Sequence, residues 1–417
     1  RFGESVAVLV DYEIESTRSI DYVADSESIY LRHDFDRWVP GVGVYYRRQE
    51  LAARGALLYK VAEILDRKFE TISAEMTREE GKTLPEAKGE VRRSINIFRY
   101  FAGEGARLAG VLAPSERERV HMFAVRKPVG VCGLITPWNF PSAIPAWKLA
   151  PALICGNTVV LKPASAAPLS AWRIAEACHE AGIPKGVVNF VAGSGGALGS
   201  ALVNAAPVKA VSFTGSCGVG AWLHEAASKR RLRIQLEMGG KNPTIVLADA
   251  DFNAAVENTV NGAFFSTGQK CTATSRLIVT DDVADEFVGE LVARIGKWTV
   301  GNPLDEHVHM GPVVDAAART SIQAGVDEAV RQGARVLCGG RPYEDGALAA
   351  GFYVPPTVLE LPGTGLDVWR EELFGPVLAV CRAADAEAAF ALADDSDYGL
   401  SAAVFTQDLT RALGALE

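Results

Sequence analysis

One cysteine of this chain lies in a setting that suits a nucleophile. Cys271 belongs to a polar loop that begins at Gly268 and precedes the strand-like residues 276–280. A thiol reacts as its thiolate, which needs some exposure and a nearby positive charge or base. The adjacent Lys270 fits that need. Inert packing is the alternative for any one of the seven cysteines, so the interpretation depends on partners.

Two polar residues that follow strand-like runs are candidate partners. Asn139 lies in residues 137–141 (PWNFP), where a side-chain amide can donate to a developing oxyanion. Glu237 ends the run 233–237, where a carboxylate can act as a general base for water. Each has a simpler explanation, because asparagine is common in proline-rich turns and an acid at a strand end is commonly solvated.

Two other motifs have the character of nucleotide contacts. Lys162 ends a strand-like run and can bind a ribose or phosphate, although a solvated lysine fits equally well. Residues 213–220 (FTGSCGVG) run from a strand into a helix. Glycines there let the backbone approach a phosphate, and a helix N-terminus favours its charge. The motif is not GxGxxG, so alone it is a weak indication.

The elements around these residues alternate between strand and helix. Strands are predicted at 130–136, 158–162, 187–192, 208–214, 233–237, 244–247, 276–280, 335–338, 377–381 and 401–405. Helices are predicted at 50–80, 88–109, 143–154, 168–181, 196–204, 218–230, 251–265, 283–297 and 315–333. Several strands are almost continuously apolar, which is typical of a parallel sheet covered by helices on both faces. Such sheets bind ligands at the carboxyl ends of their strands, where the motifs lie.

Composition narrows the function classes. The 417 residues suffice for two or three domains, and the net charge of −9 without a basic run argues against a nucleic-acid partner. Seven cysteines without a CxxC pair indicate a reducing compartment, and we expect a cytoplasmic protein. No apolar run approaches the roughly 20 residues of a membrane span. No His/Cys/Asp cluster has metal-ligand spacing, so no metal is expected.

In order and approximate spacing, the motifs resemble those of the NAD(P)-dependent aldehyde dehydrogenases. The matching segments are 137–141, 162–164, 213–220, 236–243, 268–271 and 371–376 (EELFGP). The resemblance implies an α/β fold with a Rossmann-type cofactor domain, an α/β catalytic domain and a small oligomerisation ribbon. The cofactor domain would comprise 1–109 and 131–237, the ribbon 110–130, and the catalytic domain 238–417.

The resemblance also implies site roles. Cys271 would attack the aldehyde, Asn139 would hold the oxyanion, and Glu237 would activate water to hydrolyse the resulting thioester. The cofactor contacts would be Trp138, Lys162, Ser165, Thr214, Gly215, Ser216, Gly220, Glu372 and Phe374. Ser165 stands where NAD-specific members often carry a glutamate that repels a 2′-phosphate. We therefore expect NADP to be accepted as well as NAD.

The substrate is less sharply indicated. Phe140 and Trp147 match aromatic positions of the family's aldehyde tunnel, with core packing as the alternative. Residues 143–148 and 264–271 are most similar to those of 2-oxoglutarate-semialdehyde (2,5-dioxopentanoate) dehydrogenases, which implies an anionic semialdehyde. Arg92, Arg93 and Arg99 are candidate cations at the tunnel mouth, or a solvated charged face.

Several alternatives stay open. Succinate semialdehyde or a broad range of aldehydes would suit the same motifs. An inactive nucleotide-binding homologue and a thiol hydrolase without nicotinamide are rivals from other classes. We expect a homodimer or homotetramer. Residues 1–45 do not follow the family pattern, and the family's C-terminal segment, with its Pro-Phe-Gly-Gly turn and last strand, is not found before Glu417.

Overall fold

The computed structural model describes residues 51–415, together with the backbone of two short strands, 21–25 and 28–32. Those strands, β1 (Asp21–Asp25) and β2 (Ser28–Arg32), pair antiparallel. The rest of the atypical segment 1–45 lies outside the described residues, as does the strand-length run at 5–10.

The described elements follow the alternation that the sequence predicts. The remaining strands are β3 (Val111–Pro114), β4 (His121–Ala124), β5 (Val131–Ile135), β6 (Thr158–Lys162), β7 (Val188–Phe190), β8 (Val208–Thr214), β9 (Arg233–Glu237), β10 (Asn242–Val246), β11 (Thr274–Thr280), β12 (Arg335–Cys338), β13 (Thr357–Glu360), β14 (Val377–Ala383) and β15 (Ala403–Phe405). The α-helices are α1 (Leu51–Arg67), α2 (Phe69–Glu80), α3 (Leu84–Glu104), α4 (Ala143–Ile154), α5 (Pro168–Glu180), α6 (Gly195–Asn204), α7 (Cys217–Lys229), α8 (Phe252–Phe264), α9 (Asp281–Ile295), α10 (Ala316–Arg331), α11 (Gly346–Ala350), α12 (Asp367–Arg370), α13 (Ala386–Asp394) and α14 (Leu409–Gly414). Two short 3₁₀ helices lie at Gly105–Arg107 and Phe265–Gly268.

Strands β5 to β9 form a parallel sheet in the order β7-β6-β5-β8-β9. The chain builds outwards from β5 through β6 to β7, and then returns to the other side of β5 for β8 and β9. This reversal opens a crevice at the carboxyl ends of β5 and β8, which is where doubly wound sheets bind ligands. Asn139 follows β5 and Thr214 ends β8, so both lie at that edge.

A second sheet has the order β12-β13-β14-β11-β10-β15 and is parallel except for the β12–β13 pair. Cys271 immediately precedes β11. The turn 238–241 connects the last strand of the first sheet to β10. The mixed α/β class with parallel sheets is confirmed, while the predicted division into domains at residue 238 stays a prediction.

Strands β3 and β4 form a separate antiparallel hairpin within the predicted ribbon 110–130. Its apolar residues are strongly exposed: Val111 is 64% and Leu112 78% accessible. Exposed apolar side chains on a projecting hairpin mark a surface that suits a partner.

The predicted helix 50–80 is two helices, because the backbone at Lys68 leaves helical geometry (ψ 10°) between α1 and α2. Apolar residues of both helices are nevertheless buried, with Val61, Ile64, Leu65 and Ile72 at most 5% exposed. The helix predicted at 88–109 begins earlier, at Leu84, because Thr83 and Glu86 form a capping box around Pro85. The sequence analysis did not predict β13, α11, α12 or α13.

Candidate active site

The loop that carries Cys271 has an unusual backbone. Ser266, Thr267 and Gly268 have consecutive left-handed φ angles of 54°, 56° and 68°. A Cβ on Gly268 would lie 2.2 Å from the Gly375 carbonyl oxygen, so glycine is required there. The Ser266 N–H donates to a Glu86 carboxylate oxygen, which ties the loop to the start of α3. Backbone strain of this kind concentrates at functional sites.

Asn139 meets the cysteine loop directly. It is 3% exposed, and its Nδ2 donates to the Gln269 carbonyl at 2.8 Å. The Gln269 side chain in turn accepts from the Val314 N–H at 2.9 Å. The predicted oxyanion residue and the predicted nucleophile are therefore on contacting loops, although the chain separates them by more than a hundred residues.

A buried ionic cluster holds Asn139 from the other side. The Lys82 ammonium donates to the Asn139 carbonyl at 2.7 Å and to Glu90 at 2.5 Å. Glu90 also accepts from the Ser142 N–H at 2.8 Å. Burial alone would lower the pKa of Lys82, but the charges of Glu80 and Glu90 outweigh it, so the pKa is raised and Lys82 stays charged. Burial raises the pKa of Glu80 to about 7.

The thiol of Cys271 is half-buried, and burial raises its pKa. The carboxylates of Glu372 and, less strongly, Glu237 raise it further, while the Thr272 backbone N–H opposes them. The expectation that Lys270 supplies positive charge to the thiol was wrong. Its ammonium donates instead to the Asn261 carbonyl at 3.3 Å, and burial lowers the pKa of Lys270 to about 8.

Glu237 is exposed at the end of β9. Its carboxylate accepts from the Gln235 side-chain amide at 2.8 Å. The Gln235 amide oxygen accepts from Ser212 at 2.5 Å, and Lys148 donates to both side chains. Burial lowers the pKa of Lys148 to about 8. The predicted base therefore has one amide contact and stays open to water.

Glu372 lies against the turn after β9. Its carboxylate accepts from the Gly240 N–H at 2.9 Å, and a Cβ on Gly239 would overlap it. Two residues on, Phe374 has a left-handed φ of 52°, and its ring packs edge-on against Trp138 with 5.5 Å between centroids. The structure thus brings together three predicted cofactor contacts from distant segments.

The remaining cofactor candidates line the carboxyl edge of the first sheet. Lys162 is 4% exposed, burial lowers its pKa, and none of the described residues accepts a hydrogen bond from its ammonium. A Cβ on Gly195 would lie 3.8 Å from Lys162 Nζ, so this glycine leaves room beside the cation. Ser165 is exposed and donates to the Gly193 carbonyl at 2.9 Å. A lysine whose stem is buried and whose ammonium has no acceptor among the described residues fits a ligand that brings oxygen atoms, as a dinucleotide does.

The residues of the glycine-containing turn before α7 have different structural roles. The Gly215 N–H donates to the Glu237 carbonyl at 3.1 Å, and a Cβ on Gly215 would lie 2.6 Å from the Phe213 ring. Gly220 packs against the Met238 sulfur, which explains why it is glycine. Ser216 begins α7 without a side-chain cap, and Thr214 is half-buried beside it. The open helix N-terminus fits an anionic group.

The two predicted substrate aromatics have different surroundings. Phe140 is half-buried with the Lys82 ammonium 4.3 Å from its ring centroid. Trp147 is 43% exposed, and the Arg93 guanidinium lies 5.9 Å from its ring.

Within residues 51–415 and the two described N-terminal strands, no group of three His, Cys, Asp or Glu side chains is arranged to hold a metal. The described helices include none that is long and apolar enough to cross a membrane.

Sequence reasoning missed the residues that support the site. Lys82, Glu90 and Gln269 are polar and at most 4% exposed. Lys82 and Glu90 belong to no short motif, and Gln269 lies in the cysteine motif without a predicted role of its own. Only Glu86 had a readable signal, the capping-box spacing from Thr83. The others become recognisable only when α3 packs against α4.

Comparison with known proteins agrees with this geometry. The chain matches the aldehyde dehydrogenase family over residues 44–417. It is 45% identical over 372 residues to alpha-ketoglutaric semialdehyde dehydrogenase of Bacillus subtilis, covering 89% of this chain and 76% of that protein. It is 45% identical over 359 residues to alpha-ketoglutarate semialdehyde dehydrogenase of Haloferax volcanii, covering 86% and 74%. The crystal structure of PnpE in complex with nicotinamide adenine dinucleotide superposes with a TM-score of 0.87 at 39% identity, covering 89% of this chain and 76% of that one.

The fold and the site together are typical of one class of oxidoreductase. In this class a doubly wound sheet binds a nucleotide cofactor, and a cysteine on a strained loop is the catalytic thiol. The chain belongs to the aldehyde dehydrogenase family. It is an NAD(P)-dependent enzyme that oxidises an aldehyde, as the sequence predicts.

Proposed function

We propose that this enzyme oxidises the anionic semialdehyde 2,5-dioxopentanoate to 2-oxoglutarate, with Cys271 as nucleophile, Asn139 as oxyanion donor and Glu237 as general base. The contact between Asn139 and the cysteine loop, 2.8 Å from Nδ2 to the Gln269 carbonyl, is the observation that carries the proposal. It holds the amide against the loop that carries Cys271.

The first step is addition. The Cys271 thiolate attacks the aldehyde carbon, a C–S bond forms, and the carbonyl electron pair moves to oxygen. The second N–H of the Asn139 amide, which the Gln269 carbonyl does not occupy, stabilises that oxyanion. Since burial and two carboxylates raise the pKa of the thiol, proton removal is part of the cost of this step.

NAD(P)⁺, when bound, would accept the hydride that leaves the substrate carbon, which would leave a thioester on Cys271. The residues that would hold the cofactor are Lys162, the open end of α7, Glu372 and the Trp138–Phe374 pair. Glu237 takes a proton from water, the resulting hydroxide adds to the thioester carbon, and the C–S bond breaks to release the acid and the Cys271 thiolate.

The cofactor preference follows from Ser165. Its neutral hydroxyl is exposed and bonded to Gly193, so no acid at this position opposes a 2′-phosphate. We infer that NADP is accepted as well as NAD. The semialdehyde substrate is supported by the similarity to the two semialdehyde dehydrogenases named above.

The test is formation of reduced nicotinamide from 2,5-dioxopentanoate, beside Cys271→Ala. We expect turnover in the wild type, and a loss of about a thousandfold or more in the variant with nicotinamide binding retained. Turnover that persists in Cys271→Ala would remove the thiol from the mechanism. Cleavage of an ester without nicotinamide, together with no oxidation of the aldehyde when nicotinamide is added, would indicate a hydrolase instead.

We further infer a homodimer or homotetramer, because the hairpin β3–β4 exposes Val111 and Leu112. A cytoplasmic location is proposed on the basis of seven free cysteines.

A further inference from the structure

A row of polar side chains on one face of the first sheet ends at the carboxylate of Glu237. Gln235 and Glu237 are two residues apart on β9, so their side chains leave the strand on the same face. Ser212 of β8 lies beside Gln235 in the parallel register. Lys148 of α4 reaches the same place from the neighbouring helix. Side chains from three elements therefore meet next to the predicted base.

The hydrogen bonds of this row all run towards Glu237. The Lys148 ammonium donates to the Ser212 hydroxyl at 2.7 Å, and that hydroxyl donates to the Gln235 amide oxygen at 2.5 Å. The ammonium also lies 3.4 Å from the same amide oxygen, which fixes the oxygen on the side of the lysine. The amide nitrogen is thereby directed to the Glu237 carboxylate, to which it donates at 2.8 Å. Hydrogen bonds aligned in one direction polarise and strengthen one another.

The side chain of Glu237 depends on this row for its orientation. Its backbone is fixed, because β9 pairs with β8 and the Gly215 N–H donates to its carbonyl at 3.1 Å. Among the described residues, however, only Gln235 donates to its carboxylate. An exposed glutamate side chain that loses its one partner regains rotamer freedom and spends part of its time turned away. The amide of Gln235 therefore decides where the base points.

The orientation that Gln235 holds is one from which the carboxylate acts on the thiol. After burial and Glu372, the charge of Glu237 is a further cause that raises the pKa of Cys271, so the two groups are within electrostatic reach. Hydrolysis of a thioester on that thiol needs a base beside the water that attacks it, and small displacements of a catalytic group are costly.

The amide orients the base and does not conduct its proton. A side-chain amide offers an acceptor oxygen and a donor nitrogen, but it is not an acid or a base near neutral pH. Gln235 therefore separates Glu237 from the Lys148 ammonium, and no ion pair among the described residues joins the two charges. The proton that Glu237 takes from water leaves through the exposed side of its carboxylate.

We propose that Gln235 is a positioning residue for hydrolysis of the thioester, because its anchored amide holds the Glu237 carboxylate towards the carbon under attack. The inference rests on the proposed function and adds the residue that orients the general base. In this step Glu237 removes a proton from water, the hydroxide forms a bond to the thioester carbon, and the C–S electron pair returns to the sulfur of Cys271. Gln235 neither gains nor loses a proton.

The experiment separates formation of the thioester from its hydrolysis. In stopped flow, the first turnover measures the reduced nicotinamide that appears with the thioester, and the steady state measures hydrolysis when that step is slow. Gln235→Met keeps the length of the side chain and removes the amide. We expect its first-turnover rate to stay within about twofold of the wild type and its steady-state rate to fall about tenfold. A burst of about one reduced nicotinamide per active site should result.

Arg233→Met is the matched control. Arg233 is exposed on the same strand, two residues before Gln235 and on the same face, and it forms no hydrogen bond with the described residues. Both phases of this variant should equal those of the wild type. Measurements with 2,5-dioxopentanoate and with propanal keep the result independent of the substrate class.

Hydroxylamine provides a second readout. Its nitrogen attacks the thioester carbon, a proton passes to solvent, and the C–S bond breaks to release a hydroxamate and the thiolate. This route needs no general base, so hydroxylamine should bring the steady-state rate of Gln235→Met to within about threefold of the wild type. A loss of activity caused by a disturbed fold would not be rescued.

The outcomes separate this inference from the proposed function. Glu237→Gln is the reference, and we expect it to keep the burst and to lose about a hundredfold or more of the steady-state rate. If it does so and Gln235→Met equals the wild type, the general base stands and the role of Gln235 fails. An equal fall of both phases in Gln235→Met, or a loss that hydroxylamine does not rescue, also overturns that role.

Two results would reach further. If Glu237→Gln hydrolyses the thioester as fast as the wild type, the proposed base fails and the role of Gln235 with it. If only propanal is oxidised, the proposed substrate fails, and the propanal data still decide on Gln235. If neither aldehyde is oxidised, the proposed function and the inference fail together.

Discussion

On the thiol side of the site Asn139 and Gln269 find hydrogen-bond partners within the protein, whereas on the cofactor side Lys162 and the N-terminus of α7 are left for a ligand. Asn139 and Gln269 are at most 3% exposed, and each has hydrogen-bond partners within the protein. Lys162 is almost as buried, yet no described residue accepts from its ammonium. The helix α7 begins without a side-chain cap.

This difference shows that the oxyanion side of the site is preorganised, whereas the cofactor side is completed by its ligand. The groups that stabilise a transient oxyanion must be in place before the reaction, since electrostatic stabilisation depends on donors that do not reorganise. The groups that bind a cofactor have only to be available, because the ligand's own oxygens complete their hydrogen bonding. The ionic cluster of Lys82 belongs to the preorganised groups, and Ser165 belongs to the groups that are available to a cofactor.

The largest effect is expected from Lys82→Met. The change leaves Glu90 buried without its cation and the Asn139 carbonyl without its donor. Removing one partner of a buried ion pair costs about 3–5 kcal/mol, so the free energy of unfolding should fall by that amount in urea denaturation.

Lys88→Met, six residues further along the chain in α3, is the matched control. Lys88 pairs with Glu70 at the surface, where both side chains are more than a third exposed. Exposed pairs contribute about 1 kcal/mol or less. Equal losses in the two variants would contradict the view that the Asn139 side of the site is held by buried charge.

A smaller effect is expected on the cofactor side from Ser165→Glu. A carboxylate there repels a 2′-phosphate and accepts from a ribose hydroxyl, so kcat/KM with NADP should fall about ten- to hundredfold relative to NAD. Ser165→Ala, which keeps the position neutral, should leave the ratio almost unchanged. A wild-type preference for NAD of tenfold or more would show that Ser165 does not set the cofactor choice.

The smallest effect concerns the thiol's pKa. Because burial and Glu372 raise it, little thiolate is present at neutral pH, and alkylation of the ligand-free enzyme by iodoacetamide should speed up about tenfold per pH unit up to the raised pKa. Glu372→Gln removes one cause of the raised pKa, so alkylation at pH 8 should become a few times faster.

Glu371→Gln is the control for that measurement, since the neighbouring carboxylate does not contribute to the thiol's pKa. If Glu372→Gln slows alkylation, the carboxylate assists the thiol rather than opposing it.

Sequence reasoning predicted the elements that obey a local rule. Helix 143–154 and strands 158–162, 208–214 and 233–237 have the predicted bounds, since glycine, proline or a polar residue stops each apolar run. Strand 357–360 was missed although strand 335–338, of equal length, was predicted. Helix 386–394 was missed because its alanine-rich run is apolar almost throughout and shows no helical period.

Some residues of the site were likewise predictable from the sequence and others were not. Cys271 and Asn139 were recognisable from motif order, and the structure places their loops in contact. Lys82 was not, because a lysine becomes part of a buried cluster only through tertiary packing. The supposed help from Lys270 failed for a related reason, since adjacency in sequence does not fix the direction of a side chain.

Helix α3 has a consequence for how enzymes of this kind diverge. Its first turns contact the cysteine loop through Glu86 and support the oxyanion residue through Glu90 and Lys82. Changes in those turns would affect every aldehyde alike, because they act on the part of the site that all substrates share. Relatives that differ in substrate range are therefore expected to keep these turns and to differ elsewhere.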